Sequence, residues 1–421
     1  MSQKTEPTMS NRRAVTLVAG AALAAATCLI TGGLAYGGMA VASTDWGPVT
    51  TVWDHGFEDL SSVTTDNGMV VAAWGGHGFQ NLWVSVRPAG QEWSQPTKIV
   101  TVAGGVTLAK DGKGAWVLWQ GFDDVSALQI AADGSLGAPV VLGPSSDPFI
   151  SDARIAVGSN GAVAAVWHQK TSSPLLAYRP GGGQWGAAET VPVPGTLRGL
   201  VVGSAGTAQL VLATDQGLVY LRRSAGGSWS APVVVSTVAK LVTVAGDQHG
   251  DLVIGWQIDN GDGTLSLAAR YRSAESGFGA TQRLRDDVPY GTTVALAMAR
   301  NGAVASAYQI QSQGSQQIQM TPADVDGDWL DPQTLSLTGS IYGIAMNSAG
   351  DFVVTSHQGA GLQLVRCAAS DVCDAAESNP ATAFRFPSTS LGPNGAITLV
   401  WGRGCHTEEC LPTRLVAQRG H

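Results

Sequence analysis

From residue 49 onward the chain is cut into short apolar runs separated by polar and glycine-rich breaks, with the alternation expected of half-buried strands. The stretch 153–193 shows the unit most plainly. Residues 153–157, 162–167, 175–179 and 185–193 read as four consecutive strands, A to D, and Asn160-Gly161 is the hairpin turn between A and B. The segment before residue 43 follows another pattern. Arg12 and Arg13 precede an uncharged stretch over 14–42 that closes on Ala40-Val41-Ala42.

The four-strand unit recurs. A turn glycine is followed six residues later by an aromatic: Gly68 to Trp74, Gly161 to Trp167, Gly250 to Trp256, Gly302 to Tyr308 and Gly395 to Trp401. Gly112 with Trp119 is one residue off, while Gly206 with Leu212 and Gly350 with Ser356 keep the spacing without the ring. Most C strands then end in arginine, as at Arg87, Arg179, Arg222, Arg270 and Arg366. A second landmark follows, as at Trp93, Trp185, Trp229, Phe278 and Trp329. These eight copies lie about 47 residues apart, a spacing suited to propeller blades. The last copy stops at 419–421 without a D strand, and residues 46–52 supply an orphan D strand at the start. The expected fold is therefore all-β: a β-propeller of eight four-stranded blades, closed by pairing of the N-terminal strand with the last blade. Seven blades is the alternative count, because residues 367–382 replace a regular D strand in the seventh copy.

Repeats reading Gly161-Ala162-Val163-Ala164-Ala165-Val166-Trp167, then Tyr178-Arg179-Pro180-Gly181-Gly182-Gly183-Gln184-Trp185, resemble those of exported actinobacterial β-propeller proteins of uncharacterised function. The resemblance covers about residues 45–421. It implies a propeller fold and export, and it brings no active site to transfer.

Composition agrees with many short strands: only 13% of the residues are charged, and there are 54 glycines and 13 tryptophans. The net charge of −8 leaves no basic field for nucleic acid. Residues 1–42 read as an export signal, cleaved at the A-x-A site, with a weak twin-arginine character. An uncleaved membrane anchor is the rival reading. Residues 43–421 then form one propeller domain, secreted or displayed at the cell surface and expected to be a monomer. In that compartment Cys367, Cys373, Cys405 and Cys410 are expected to form two local disulfides, with zinc as the competing use.

In a propeller the A–B and C–D turns share one face, and the B–C and D–A loops share the other. The A–B turns are short and uniform here, whereas the B–C and D–A loops vary and carry many acids with few bases. The second face is therefore the expected binding face. Its candidate ligand residues are Asp123, Asp124, Asp286, Asp287, His77 and His168. Trp53, Phe79, Phe122 and Tyr290 add aromatic surface for a glycan, a peptide or a surface protein. Acids that merely keep a glycine-rich surface soluble are the plainer reading. Arg154, Arg198 and Lys240 begin three consecutive A strands and suit an anion at the channel mouth. The alternative is that they pair with loop acids. The repeated tryptophans are expected to fill the wedge between blades rather than to bind sugars. Asp324, Asp326 and Asp328 have the alternate spacing of Ca²⁺ ligands, or form a plain turn; no organic cofactor is expected.

No G-x-S-x-G, H-E-x-x-H or P-loop motif occurs. The expected function is a binding module. A polysaccharide-active hydrolase or lyase, which needs paired carboxylates, and an envelope scaffold are the alternatives.

Overall fold

The structure, a computed structural model, describes residues 48–420 apart from 54–56, 77–80, 102–103, 146–152, 169–172, 290–291, 293, 313–314, 324–326, 359–360, 370–371, 383 and 404–413. The described residues form eight four-stranded antiparallel sheets and no helix. Seven sheets follow chain order, and their inner strands are Phe57–Thr64, Val106–Asp111, Arg154–Val157, Thr196–Val202, Ala239–Gly246, Val294–Met298 and Ser340–Met346. We number these blades 1 to 7. In blade 8 the inner strand is Phe384–Leu391, the third is Arg414–Gly420, and the outermost is Thr50–Trp53 from the chain's start. Thr50 lies opposite Ala417 in that pairing. Each inner strand packs against the next, and the inner strand of blade 8 returns to that of blade 1. Ser62 donates to Ser388 at 2.7 Å across this last joint.

The A–B turns are nearly identical because one backbone device makes them. In blade 3 Gly161 N–H donates to Gly158 O and Gly158 N–H to Ala162 O, both at 2.9 Å. Gly161 takes φ +76°, a conformation that a side chain disfavours. Blade 2 departs from the six-residue spacing because Asp111 pairs directly with Gly114, leaving a two-residue hairpin.

The core is a set of wedges between blades. Trp74, Trp167 and Trp401 are fully buried, and Trp119 and Trp256 are 2% exposed. Trp167 of blade 3 packs with Leu118, Val125 and Ala127 of blade 2, and its Nε1 donates to Pro144 O at 2.9 Å. Trp256 of blade 5 packs on Val211 and Tyr220 of blade 4 in the same way. These rings are structural, as the repeat implies.

Two expectations need correction. The D strand of blade 3 is only Glu189–Thr190, because Trp185 sits ahead of it, edge-on to Trp116 at 5.5 Å. In blades 3, 4 and 6 the second aromatic landmark therefore caps the C–D turn, where Arg223 bridges to Trp229 and Ala323 to Trp329, whereas in blade 5 Phe278 lies inside the D strand Gly277–Pro289, as expected. Blade 7 does have a D strand, Glu377–Thr382, placed after a Cys367–Cys373 disulfide that closes its C–D turn. Cys405 and Cys410 lie outside the described residues, as do residues 1–42. Among the described residues no helix is long and apolar enough to cross a membrane.

Candidate functional site

All strand pairs are antiparallel, so the connections fall alternately on two faces. On the A–B and C–D face several long polar side chains are engaged with the scaffold. Arg179 stacks over Trp116, Arg223 over Tyr178 and Arg272 over Tyr220, at 5.2, 4.5 and 5.1 Å, each reaching back to the preceding blade. Arg223 also pairs with Glu189. The A–B turns themselves meet across the axis. Lys110 of blade 2 binds Asp66 of blade 1 at 2.9 Å, and Arg300 of blade 6 lies 3.7 Å from the same carboxylate. Gln248 of blade 5 accepts from Arg300 at 2.7 Å and donates to Lys110 O at 3.3 Å. Two of these interactions join neighbouring blades, and two, Arg300 to Asp66 and Gln248 to Lys110, cross the ring and stitch that end of the channel.

The B–C and D–A face is built differently. In blade 2 the turn Gly121-Phe122-Asp123 is held by Gly121 N–H donating to Asp124 O at 2.7 Å. Asp124 Oδ1 accepts from Ser126 at 3.0 Å. The turn thus lifts Phe122, 52% exposed, and Asp123, also exposed, to the rim of a groove of about 400 Å³. The outer strand of blade 1, at Ile99 and Val100, forms one wall, and Pro139 and Val141 form the other. Asp123 has no side-chain hydrogen bond or ion pair to a described residue, so its carboxylate faces the groove unengaged.

The other expected ligand residues are dispersed. Asp286 sits within the outer strand of blade 5 rather than in a loop, bound to Arg283 at 2.7 Å and to Ser266 at 2.9 Å. Asp287 follows it in the same strand. Blades 2 and 5 are three apart in the ring, so these acids do not join Asp123 and Asp124 in one site. His168 Nε2 lies 2.6 Å from Gly195 O and holds the D–A loop of blade 3. Gln120, Gln257 and Gln309 do the same after their own B-strand aromatics, reaching Ser145 Oγ, Thr292 O and Gly339 O. His168 is thus one of a set of loop latches. The Trp-Gln, Trp-His and Tyr-Gln pairs were present in the sequence as a signal for it.

Arg154 and Arg198 are exposed on the inner strands of blades 3 and 4, with no hydrogen bond or ion pair to a described residue. Lys240 is paired with Asp259 at 2.6 Å, which holds the Asp259 carboxyl below its usual range. His77, Phe79, Tyr290, Asp324 and Asp326 lie outside the described residues. Asp328 is exposed at the C–D turn of blade 6, on the opposite face from Asp123. Among the described residues no three His, Cys, Asp or Glu side chains cluster to hold a metal.

No protein-family profile matches the chain, and no curated protein matches it in sequence. Solved structures do match in fold. The BP39L lectin of Burkholderia pseudomallei superposes with a TM-score of 0.51 at 12% identity, over 79% of this chain and 100% of the lectin. The Dos1 propeller superposes with a TM-score of 0.55 at 9% identity, over 90% of this chain and 95% of its own. The chain is a β-propeller. At these identities the likeness is one of fold.

Proposed function

We propose that the protein is an extracellular binding module that takes saccharide at the groove between blades 1 and 2. The observation that carries this is an outward-facing Phe122 beside the unengaged Asp123 carboxylate, on a turn that the backbone holds in place. An aromatic face packs against the C–H face of a sugar ring, and a carboxylate accepts hydrogen bonds from vicinal hydroxyls. Val141 and Pro139 add apolar wall, and about 400 Å³ falls within the range of small-ligand sites. A lectin built on the same ring shows that this fold can serve sugar binding. The Cys367–Cys373 disulfide is compatible with an oxidising compartment, and the charged-then-apolar stretch at 12–42 supplies the export signal in this reading.

The test is a glycan array on the protein, followed by titration of the strongest ligand. Phe122→Ala and Asp123→Asn should each weaken binding tenfold or more, about 1.4 kcal/mol, with unchanged melting temperature. Retention of no glycan, or unaltered affinity in both variants, would refute the assignment.

A further inference from the structure

On the A–B and C–D face, the seam where blade 8 meets blade 1 departs from its neighbours. In four blades an arginine ends the C strand opposite the B-strand residue that lies four positions before the landmark site: Arg87 opposite Val70, Arg179 opposite Val163, Arg223 opposite Ala208 and Arg272 opposite Leu252. Three of these guanidinium groups cover a ring of the preceding blade, namely Trp116, Tyr178 and Tyr220. Arg87 meets blade 8 instead. There Thr398 stands three residues before Trp401, the place that Trp116 holds before Trp119 in blade 2. Arg87 donates to Thr398 Oγ1 at 3.2 Å and lies over Trp93 of its own blade at 5.6 Å.

A cavity of about 230 Å³ opens at this seam, and its walls include Asn394, Ala396 and Thr398 of blade 8 and Gly68, Val70 and Arg87 of blade 1. Gly68 is the turn glycine, and the carbonyls of its counterparts are bonded across their seams. Gly206 O accepts from the Tyr178 hydroxyl of blade 3 at 2.8 Å, Gly250 O from Gln209 Nε2 of blade 4 at 2.7 Å, and Gly395 O from Arg366 Nη1 of blade 7 at 3.3 Å. Gly68 O accepts no hydrogen bond from a described residue. Among the described residues, then, this seam lacks both the ring and the donor that its counterparts supply. A cavity of about 150 Å³ takes up benzene, so this one has room for a two-ring system.

We infer that this seam is a binding site for a small neutral aromatic molecule with one hydrogen-bond donor, an indole or a phenol, whose ring takes the place filled from within the chain at the other seams. The ring lies against Ala396, Thr398 and the Arg87 guanidinium, and its N–H or O–H donates to Gly68 O as the Tyr178 hydroxyl does to Gly206 O. The ligand is neutral because the carboxylate in the described wall, Asp66, is already paired with Lys110, and Arg87 is itself engaged. The site is on the opposite face from Phe122 and does not depend on the saccharide reading.

The probe is indole, titrated into the full protein and followed by calorimetry and by the backbone amide signals in NMR. The comparisons are 1-methylindole, which lacks the donor, and cyclohexanol, which has a donor but no aromatic face. Indole should bind saturably and shift the amides of Gly68, Ala89 and Thr398. 1-Methylindole should bind severalfold more weakly, and cyclohexanol at least tenfold more weakly. Thr398→Trp supplies the ring from the chain, as Trp116 does in blade 2, and should abolish indole binding. Ala89→Leu narrows the cavity from an exposed position, leaves the core intact, and should weaken binding at least tenfold, so it decides the matter even where Thr398→Trp does not fold. The Phe122→Ala/Asp123→Asn variant should bind indole as the parent does, which tests the two sites apart. An absence of saturable binding, an affinity for either comparison equal to that for indole, shifts that miss this seam, or full affinity in Ala89→Leu would each overturn the proposal.

Discussion

The two faces of the ring are made by opposite ends of the same strands, yet they differ in what they leave open. On the A–B and C–D face Arg179, Arg223 and Arg272 stack on the preceding blade, and Lys110, Arg300, Asp66 and Gln248 form one network that crosses the axis. On the other face His168, Lys240 and Asp286 are engaged as well, but Asp123, Arg154 and Arg198 make no hydrogen bond or ion pair to a described residue, and Phe122 and Leu241 are more than half exposed. One end is organised to close the ring, and the other leaves donors, acceptors and apolar surface available. Function can be sought where the scaffold does not already engage the side chain.

The comparison is broken most sharply at its base. Trp167→Ala empties the wedge between blades 2 and 3 and removes the bond to Pro144 O. It should cost about 3–5 kcal/mol in denaturant unfolding, whereas Phe122→Ala/Asp123→Asn should stay within about 0.5 kcal/mol of the parent. Equal losses would mean that the loop face is part of the core. Next is Gly199, beside the bulged Arg198, where a Cβ would sit 2.5 Å from Val244 Cβ of the neighbouring blade. Gly199→Ala should force blades 4 and 5 apart and cost about 1–3 kcal/mol by the same assay.

His168 sharpens the distinction from within the loop face. If it is a latch, His168→Gln restores the donor that Gln120, Gln257 and Gln309 use in other blades and leaves stability near the parent. His168→Ala leaves Gly195 O without that partner and should cost about 1 kcal/mol. Neither change should affect saccharide binding, and a loss specific to His168→Gln would return the ring to the site.

The smallest effect concerns Asp247 on the closed face. Burial raises its carboxyl above the ordinary range, and Asp251 adds to this, although backbone N–H groups of Gly250 and Asp251 oppose it. The folded chain therefore holds this proton more tightly than the unfolded one, and the associated stability is lost as pH rises from about 4. In blade 7 the equivalent residue is Asn347, which accepts from Ala349 and Asp351 N–H at 2.9 and 3.0 Å and donates to Asp351 at 3.1 Å. Asp247→Asn should raise the melting temperature at pH 7, by an amount that shrinks towards pH 4. A lowered melting temperature at pH 7 would contradict it.

Much of the scaffold was legible because it repeats. A turn glycine followed by a buried aromatic in blade after blade marks one wedge with one solution, and the turn chemistry of Asn160-Gly161 agrees with the strand pattern. The candidate site and its face were less legible because they are made by exceptions. The inner strands bulge at Asp59, Arg198, Leu241 and Tyr342 with no shared sequence signature, since register is set by pairing with the next strand rather than by local propensity. Acid content singled out Asp286 alongside Asp123, but only the fold shows that Asp286 is bound to Arg283 while Asp123 is left open. The arginines at the C-strand ends were visible: Arg87 and Arg270 stack on the landmark rings of their own blades, Trp93 and Phe278, whereas the ring under Arg179, Trp116, belongs to another blade and no local pattern announces it.

The division between the faces is tested most directly by titrating the strongest array glycan into two double variants while recording their melting. Phe122→Ala/Asp123→Asn should lose binding and melt with the parent, and Lys110→Ala/Arg300→Ala should bind with the parent and melt lower. Binding lost in the second variant and kept in the first would place the site on the wrong face and contradict the account.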